Sequence, residues 1–93
     1  MVNATQKQHI DIALKKAKTT IEKIQKMLND DIYCIDVLQQ ILAVQGLLRS
    51  SSERILTSHL STCFAEGMSM NDDPKKEKLI KELMQVMKMS RKA

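Results

Sequence analysis

The fold is decided by residues 32–66, which read IYCIDVLQQILAVQGLLRSSSERILTSHLSTCFAE. This stretch has no proline and a single glycine, so it predicts one helix of about 35 residues, roughly 50 Å long. Its first half is apolar on most sides, which requires burial by more than one neighbour. A helix this long cannot be covered by the rest of a 93-residue chain. The pattern therefore indicates oligomerisation.

A further helix is predicted on either side of this stretch. Apolar residues recur every three or four positions over residues 5–28, with lysines on the opposite face. The polar residues 29–31 interrupt the pattern and offer capping side chains to the next helix. Gly67 is expected to end the long helix in a left-handed conformation. Pro74 fits the first turn of a third helix over about residues 74–90.

The composition favours an all-α fold in a single domain, residues 1–93. The chain has two Gly, one Pro, one Phe, one Tyr and no Trp, whereas many strands would need more turn residues. The net charge of +4 permits a polyanionic partner without establishing one. No secretory signal, membrane span, phosphate-binding loop or nucleophile–base set is recognised. We therefore expect a cytoplasmic protein that is not an enzyme.

Three residues with metal-binding side chains lie on the long helix: Cys34, His59 and Cys63. His59 and Cys63 are four residues apart, so they share one helix face. Cys34 precedes His59 by 25 residues, which is within about 20° of seven full turns but roughly 37 Å away along the axis. One straight helix therefore cannot bring all three residues to a single ion.

A second copy of the chain resolves this geometry. If two long helices pack antiparallel, Cys34 of one chain falls beside His59 and Cys63 of the other, and the two-fold symmetry makes two equal sites. The axis would pass near residues 47–48, close to the small residues Ala43 and Gly46, where two backbones can approach. Two thiolates and one imidazole form a soft set of low coordination number, which favours Cu(I) over the four-ligand sites of Zn(II).

Two segments resemble the CsoR/RcnR family of bacterial metal-sensing repressors: residues 33–44, YCIDVLQQILAV, and residues 59–63, HLSTC. The resemblance implies three helices per protomer, an antiparallel dimer that forms a four-helix bundle, and a tetramer built as a dimer of dimers. It also implies that the metal-free protein binds operator DNA and releases it when the effector binds. The Cys, His, Cys set is similar to that of the copper-sensing branch.

The resemblance leaves alternatives to a copper sensor. The persulfide-sensing branch keeps both thiols and lacks the histidine, so His59 separates it from the copper-sensing branch. A persulfide- or thiol-oxidation-sensing repressor that uses Cys34 and Cys63 is therefore the main alternative. A cytosolic copper-binding helical module without DNA function is a second alternative.

Further residues follow from the resemblance. Tyr33 and a glutamate of the third helix, either Glu77 or Glu82, would surround the ligands and orient His59. The first helix departs from the family, because Lys15-Lys16 and Lys18-Thr19-Thr20 stand where relatives have paired arginines followed by Glu-Gly-Gln. The residues predicted to contact DNA phosphates are Lys15, Lys16, Lys18 and Arg54.

Overall fold

The structure, a computed structural model, describes residues 2–92, and side chains through residue 90. The helices are α1 (Ala4–Asn29), α2 (Cys34–His59), α3 (Ala65–Ser69) and α4 (Asp73–Lys92). A π-helical turn, Leu60–Phe64, follows α2 directly and leads into α3; it is called the π turn below. Residues 2–92 contain no strand, which confirms the all-α prediction. None of their helices is long and apolar enough to cross a lipid bilayer.

The described chain forms two compact units, residues 2–57 and 58–92. The prediction of a single domain stays a prediction, as does that of a dimer or tetramer.

Residues 2–57 form a pair of helices with a seven-residue repeat of buried side chains. The seam is formed by Ile10, Ala17 and Ile24 of α1 and by Val37, Val44 and Ser51 of α2. Ala17, Ile24, Val37 and Val44 form one cluster, with Met27 and Leu47 packed against it. A seven-residue spacing keeps one narrow stripe of each helix facing its neighbour. The buried stripe on α2 is narrow. Most apolar side chains of this helix lie outside it and are available for other contacts.

The connection between α1 and α2 corrects the predicted role of residues 29–31. The Ile32 N–H donates to the Met27 carbonyl at 3.0 Å and the Asp31 N–H to the Leu28 carbonyl at 3.3 Å. Asp31 has a φ of 53°. This is the hydrogen-bond pattern of a Schellman motif, with Asp31 in the left-handed position. Residues 29–31 therefore end α1, and α2 begins after Tyr33 without a cap from them.

The second unit corrects the expected role of Gly67. No glycine in residues 2–92 has a positive φ, and Gly67 lies inside α3, which continues to Ser69. Gly67 is buried because Leu79 of α4 lies against its α-carbon, in the space that a side chain would occupy. Glycine is therefore needed at this position because a larger residue would collide with Leu79. The start of α4 follows the prediction: the Asp72 carboxylate accepts from the Lys75 N–H at 3.1 Å, and Pro74 lies in the first turn.

Candidate metal centre and basic surface

Cys34 is the first residue of α2 and carries an exposed, free thiol. It lies inside the turn in which the Tyr33 carbonyl accepts from the Asp36 N–H at 3.0 Å. Beside the thiol lies a shallow cavity of about 320 Å³ with an apolar lining that includes Leu28, Val37 and Leu38. The α1–α2 pair therefore presents Cys34 on an open apolar surface, where an ion or a second chain can reach it.

His59 and Cys63 lie on either side of the start of the π turn. His59 is the last residue of α2, and Cys63 is the fourth residue of the π turn. A π turn closes its hydrogen bonds over five residues and so holds one residue more than an α-helical turn. Residues four apart across it are placed about as residues three apart in an α-helix, which are still neighbours. The two predicted ligands therefore share one helical turn despite the change in geometry.

Hydroxyl groups support the backbone of the π turn. The Ser58 carbonyl accepts from the Ser61 hydroxyl at 3.2 Å and from the Thr62 hydroxyl at 2.6 Å. Thr62 Oγ1 also lies 3.8 Å from Cys63 Sγ. Because a hydroxyl has one proton, Thr62 can donate to the carbonyl or to the sulfur, but not to both at once. Serine and threonine bonds to a preceding carbonyl compete with the regular helical ladder and often bend helices.

The His59 imidazole packs against the Phe64 ring. The ring centroids are 6.3 Å apart and the planes are inclined by 57°, an arrangement that aromatic pairs favour. Sequence reasoning did not identify Phe64, because residues five apart in an α-helix point about 140° away from each other. Only the extra residue of the π turn brings Phe64 next to His59.

The residues expected to surround the ligands are Tyr33, Glu77 and Glu82. Tyr33 lies in the unit of residues 2–57 and is exposed. Glu77 forms an exposed ion pair with Lys81 at 3.5 Å, and Glu82 is exposed as well. In the described residues no three His, Cys, Asp or Glu side chains of one chain gather into a metal-binding group. A site formed by Cys34, His59 and Cys63 between two chains stays a prediction.

The predicted DNA-contact lysines all lie on α1 and are exposed. Lys15 forms an ion pair with Asp11 at 3.0 Å. Lys15 and Lys16 border a shallow cavity of about 450 Å³. The hydroxyls of Thr19 and Thr20 bond the carbonyls of Lys15 and Lys16 at 3.1 and 2.8 Å. Since these threonines are occupied within α1, the lysine ammonium groups are the donors that this surface offers to an anion.

Arg54 differs from the lysines. It is half-buried, and its Nη1 donates to Gln6 Oε1 at 3.0 Å. Gln6 is itself fixed, because its N–H donates to the side chain of Asn3, which caps α1. Arg54 thus ties the start of α1 to the later part of α2. Sequence reasoning named Arg54 for its charge, and nothing in the spacing of the chain pointed to Gln6 as its partner.

Comparison with known proteins identifies the family to which this helical chain belongs. Residues 6–89 match the model of the metal-sensitive transcriptional repressor family. The copper-sensing transcriptional repressor CsoR of Bacillus subtilis is 33% identical over 86 residues, which cover 92% of this chain and 82% of that protein. CsoR of Mycobacterium ulcerans is 35% identical over 77 residues, covering 83% of this chain and 63% of that longer protein.

A solved structure gives the same result. The crystal structure of the copper-sensing repressor CsoR with Cu(I) from Geobacillus thermodenitrificans has a TM-score of 0.83 and 31% sequence identity. The match covers 96% of this chain and 90% of that one. The chain belongs to the family of metal-sensitive transcriptional repressors, as the resemblance of residues 33–44 and 59–63 predicted.

Proposed function

We propose that this protein is a cytoplasmic Cu(I)-responsive transcriptional repressor. The metal-free protein binds operator DNA, and it releases the DNA when Cys34 of one protomer and His59 and Cys63 of another ligate Cu(I). The observation that carries this proposal is that His59 and Cys63 lie within one helical turn, in a chain whose Cys34 thiol is exposed at the start of α2. The relatives named copper-sensing repressors support the choice of metal.

The donor chemistry fits Cu(I). Neither Cys34 nor Cys63 forms a disulfide within the described residues. Thiolate sulfur is the soft ligand that Cu(I) prefers, with imidazole as a suitable third donor. Zn(II) completes four ligands at structural sites, whereas the proposed set supplies three. Ligation requires both thiols to lose their protons. Binding of Cu(I) therefore releases protons and places a metal ion between two protomers.

The exposed face of α2 supports the pairing of two chains. Leu38, Ile41 and Leu48 follow Cys34 on the same side of the helix and are 48%, 37% and 43% exposed. Only five apolar side chains of the described residues are buried, so one chain has little core of its own. A second copy that covers this face would gain about 25 cal/mol for each Å² of apolar surface buried. The same packing in the antiparallel sense supplies the missing cysteine to His59 and Cys63.

DNA binding is assigned to the exposed lysines of α1. Lys16 and Lys18, together with Lys15, give this helix a row of ammonium groups suited to phosphates. No helix-turn-helix pattern is recognised in the sequence, so we infer that the operator is read through a broad basic surface and the shape of the DNA. Ligation and DNA binding are then linked by a coupling free energy, typically about 1–3 kcal/mol.

The proposal is tested by titrating the metal-free protein with Cu(I) under anaerobic conditions while its assembly and its binding to promoter DNA are followed. The expected result is one Cu(I) per protomer and release of DNA over the same range. The His59→Ala variant should still bind DNA but respond weakly to Cu(I). Tight Cu(I) binding with unchanged DNA affinity would contradict the repressor mechanism, and a metal-free protein that does not bind DNA at low salt would favour a copper-binding module.

The two cysteines, which form no disulfide within the described residues, also suit a response to oxidised sulfur species, in which Cys34 and Cys63 of different chains become linked. This second candidate differs in its dependence on the imidazole. A thiol-only response survives the His59→Ala change, whereas the Cu(I) response does not. Treating both proteins with a polysulfide and with Cu(I), and measuring DNA release, separates the two functions.

A further inference from the structure

We propose that Phe64 is a positioning residue that holds the His59 imidazole in the orientation needed for ligation, and that the π turn brings the two rings together. This inference rests on the proposed function, because it concerns the same ligand set. It adds a residue to the site that touches neither the metal nor the DNA and acts through His59.

The backbone geometry explains the pairing. The residues on either side of the π turn have ordinary helical angles, with φ −62° and ψ −45° at His59 and φ −61° and ψ −43° at Ala65. The departure is therefore confined to one turn inserted in an otherwise regular helix. With its extra residue, positions five apart are placed about as positions four apart in an α-helix, where side chains meet. A regular helix would separate His59 from Phe64.

The ring contact is the ordering contact that the described residues give to His59. Within residues 2–92 the structure shows no hydrogen bond or ion pair on the imidazole, and Glu77 is engaged with Lys81. A ligating histidine is usually oriented by a group on its far side, and loss of such a group commonly lowers metal affinity about 10–100-fold. Within one chain, the Phe64 ring that packs against the imidazole restricts its orientation.

The π turn is itself held by side chains that do not belong to the ligand set. Ser61 and Thr62 both reach the Ser58 carbonyl, so the widened turn keeps its acceptor satisfied. This support is independent of Phe64. Removing the Phe64 ring should therefore free the imidazole while the turn remains, which makes the role of the ring testable by substitution.

The test compares Phe64→Leu, which keeps an apolar side chain, with Phe64→Tyr, which keeps the ring. Proton NMR of the metal-free protein reads the contact directly, because the ring current of Phe64 shifts the imidazole resonances of His59. The second histidine of the chain, His9, is the internal control. Phe64→Leu should move the His59 signals and leave those of His9 unchanged, and thermal unfolding checks that both variants fold.

Cu(I) binding is then measured by competition with a chelator of known affinity. Phe64→Leu should weaken Cu(I) binding about 10-fold or more, as expected for loss of an orienting partner, and Phe64→Tyr should restore it. X-ray absorption should show two sulfurs and one nitrogen around Cu(I) in the wild type but a loss of the nitrogen in Phe64→Leu. In the His59→Ala background Phe64→Leu should cause no further loss, because both changes remove one interaction.

The outcomes separate this proposal from the proposed function. Weaker Cu(I) binding in His59→Ala together with wild-type binding and coordination in Phe64→Leu would overturn the role of Phe64 alone. Equal Cu(I) affinity in the wild type and in His59→Ala would overturn the ligand set and the role of Phe64 together. An additive loss in the double variant would also contradict positioning, because Phe64 would then act independently of the imidazole.

Discussion

Leu79 of α4 fills the space next to Gly67 of α3 that a β-carbon would need. Two effects oppose each other when Gly67 is replaced by Ala. The helix gains about 1 kcal/mol in propensity, while displacement of the packed Leu79 side chain costs about 1–3 kcal/mol. We expect a net loss of up to about 2 kcal/mol in the free energy of unfolding, measured by urea denaturation. In a Leu79→Ala background the same change should become stabilising; a full gain in the wild-type background would show that α3 and α4 do not pack as described.

Gly46 provides the opposite case. A β-carbon built there meets nothing within 4 Å in the protomer, so Gly46→Ala should favour the helix itself by about 1 kcal/mol. If α2 pairs with a second α2 near residues 47–48, however, the added methyl group separates the two backbones. We expect weaker self-association despite higher helix stability, which sedimentation equilibrium over a concentration series would detect. Tighter or unchanged association would place the contact between chains elsewhere on α2.

The turn after α1 yields a third prediction. Asp31 has a φ of 53°, a conformation that costs most residues about 1–2 kcal/mol and that Asp and Gly tolerate better. Asp31→Gly should raise the free energy of unfolding by up to about 0.5 kcal/mol, since the strain that remains with Asp slightly outweighs the added chain entropy. Asp30→Gly is the matched control. Asp30 has a φ of −90°, so its replacement should be neutral or destabilising in the same thermal or urea titration.

The positions of the helices could be predicted from the sequence because the signals are local. The apolar period over residues 5–28 and 32–66, the polar break between them and Pro74 each act within a few residues. The observed helices Ala4–Asn29 and Asp73–Lys92 begin and end within two residues of the predicted ranges, whereas the predicted long helix is divided into Cys34–His59, the π turn and Ala65–Ser69. The end of the long helix could not be predicted in the same way. Gly67 is needed there because it packs against Leu79, which lies twelve residues further along the chain.

The candidate site was only partly accessible to sequence reasoning. Cys34, His59 and Cys63 were predicted as ligands from their chemistry and from their spacing on a helix, both of which are visible in the sequence. The π turn differs from an α-helical turn by one residue in its hydrogen bonding, and the only local signal for it is the hydroxyl-rich run that includes Ser58, Ser61 and Thr62. Phe64 becomes a neighbour of His59 through that turn, so a strictly α-helical projection excludes the contact.

The hydrogen bond from Arg54 to Gln6 predicts that Arg54 stabilises the fold more than it holds DNA. A half-buried hydrogen bond from a charged donor contributes about 1.5–3 kcal/mol. Arg54→Ala and Gln6→Ala should each destabilise the protein, and the double variant should lose less than the sum. Urea unfolding of the four proteins measures this coupling.

The salt dependence of DNA binding tests the same assignment. Loss of one phosphate contact lowers the slope of log K against log salt by about 0.9. Lys16→Ala should show this reduction once for each protomer whose Lys16 contacts the DNA. Arg54→Ala should keep the wild-type slope, because in the wild type the Arg54 guanidinium is engaged by Gln6. A reduced slope in Arg54→Ala would return Arg54 to the DNA-contact residues.

The last prediction concerns pH. Thiols bind Cu(I) as thiolates, so protons compete with the metal and the affinity should rise with pH. For each thiol that is protonated in the free protein, lowering the pH by one unit should weaken binding about tenfold, so two thiols give up to about 100-fold per unit. More Cu(I) is then needed to release DNA at pH 6 than at pH 8. Cys34→Ala should remove one of the two protons and reduce the dependence to that of Cys63. A Cu(I) affinity that is constant from pH 6 to pH 8, measured by chelator competition, would mean that neither thiol exchanges a proton for the metal.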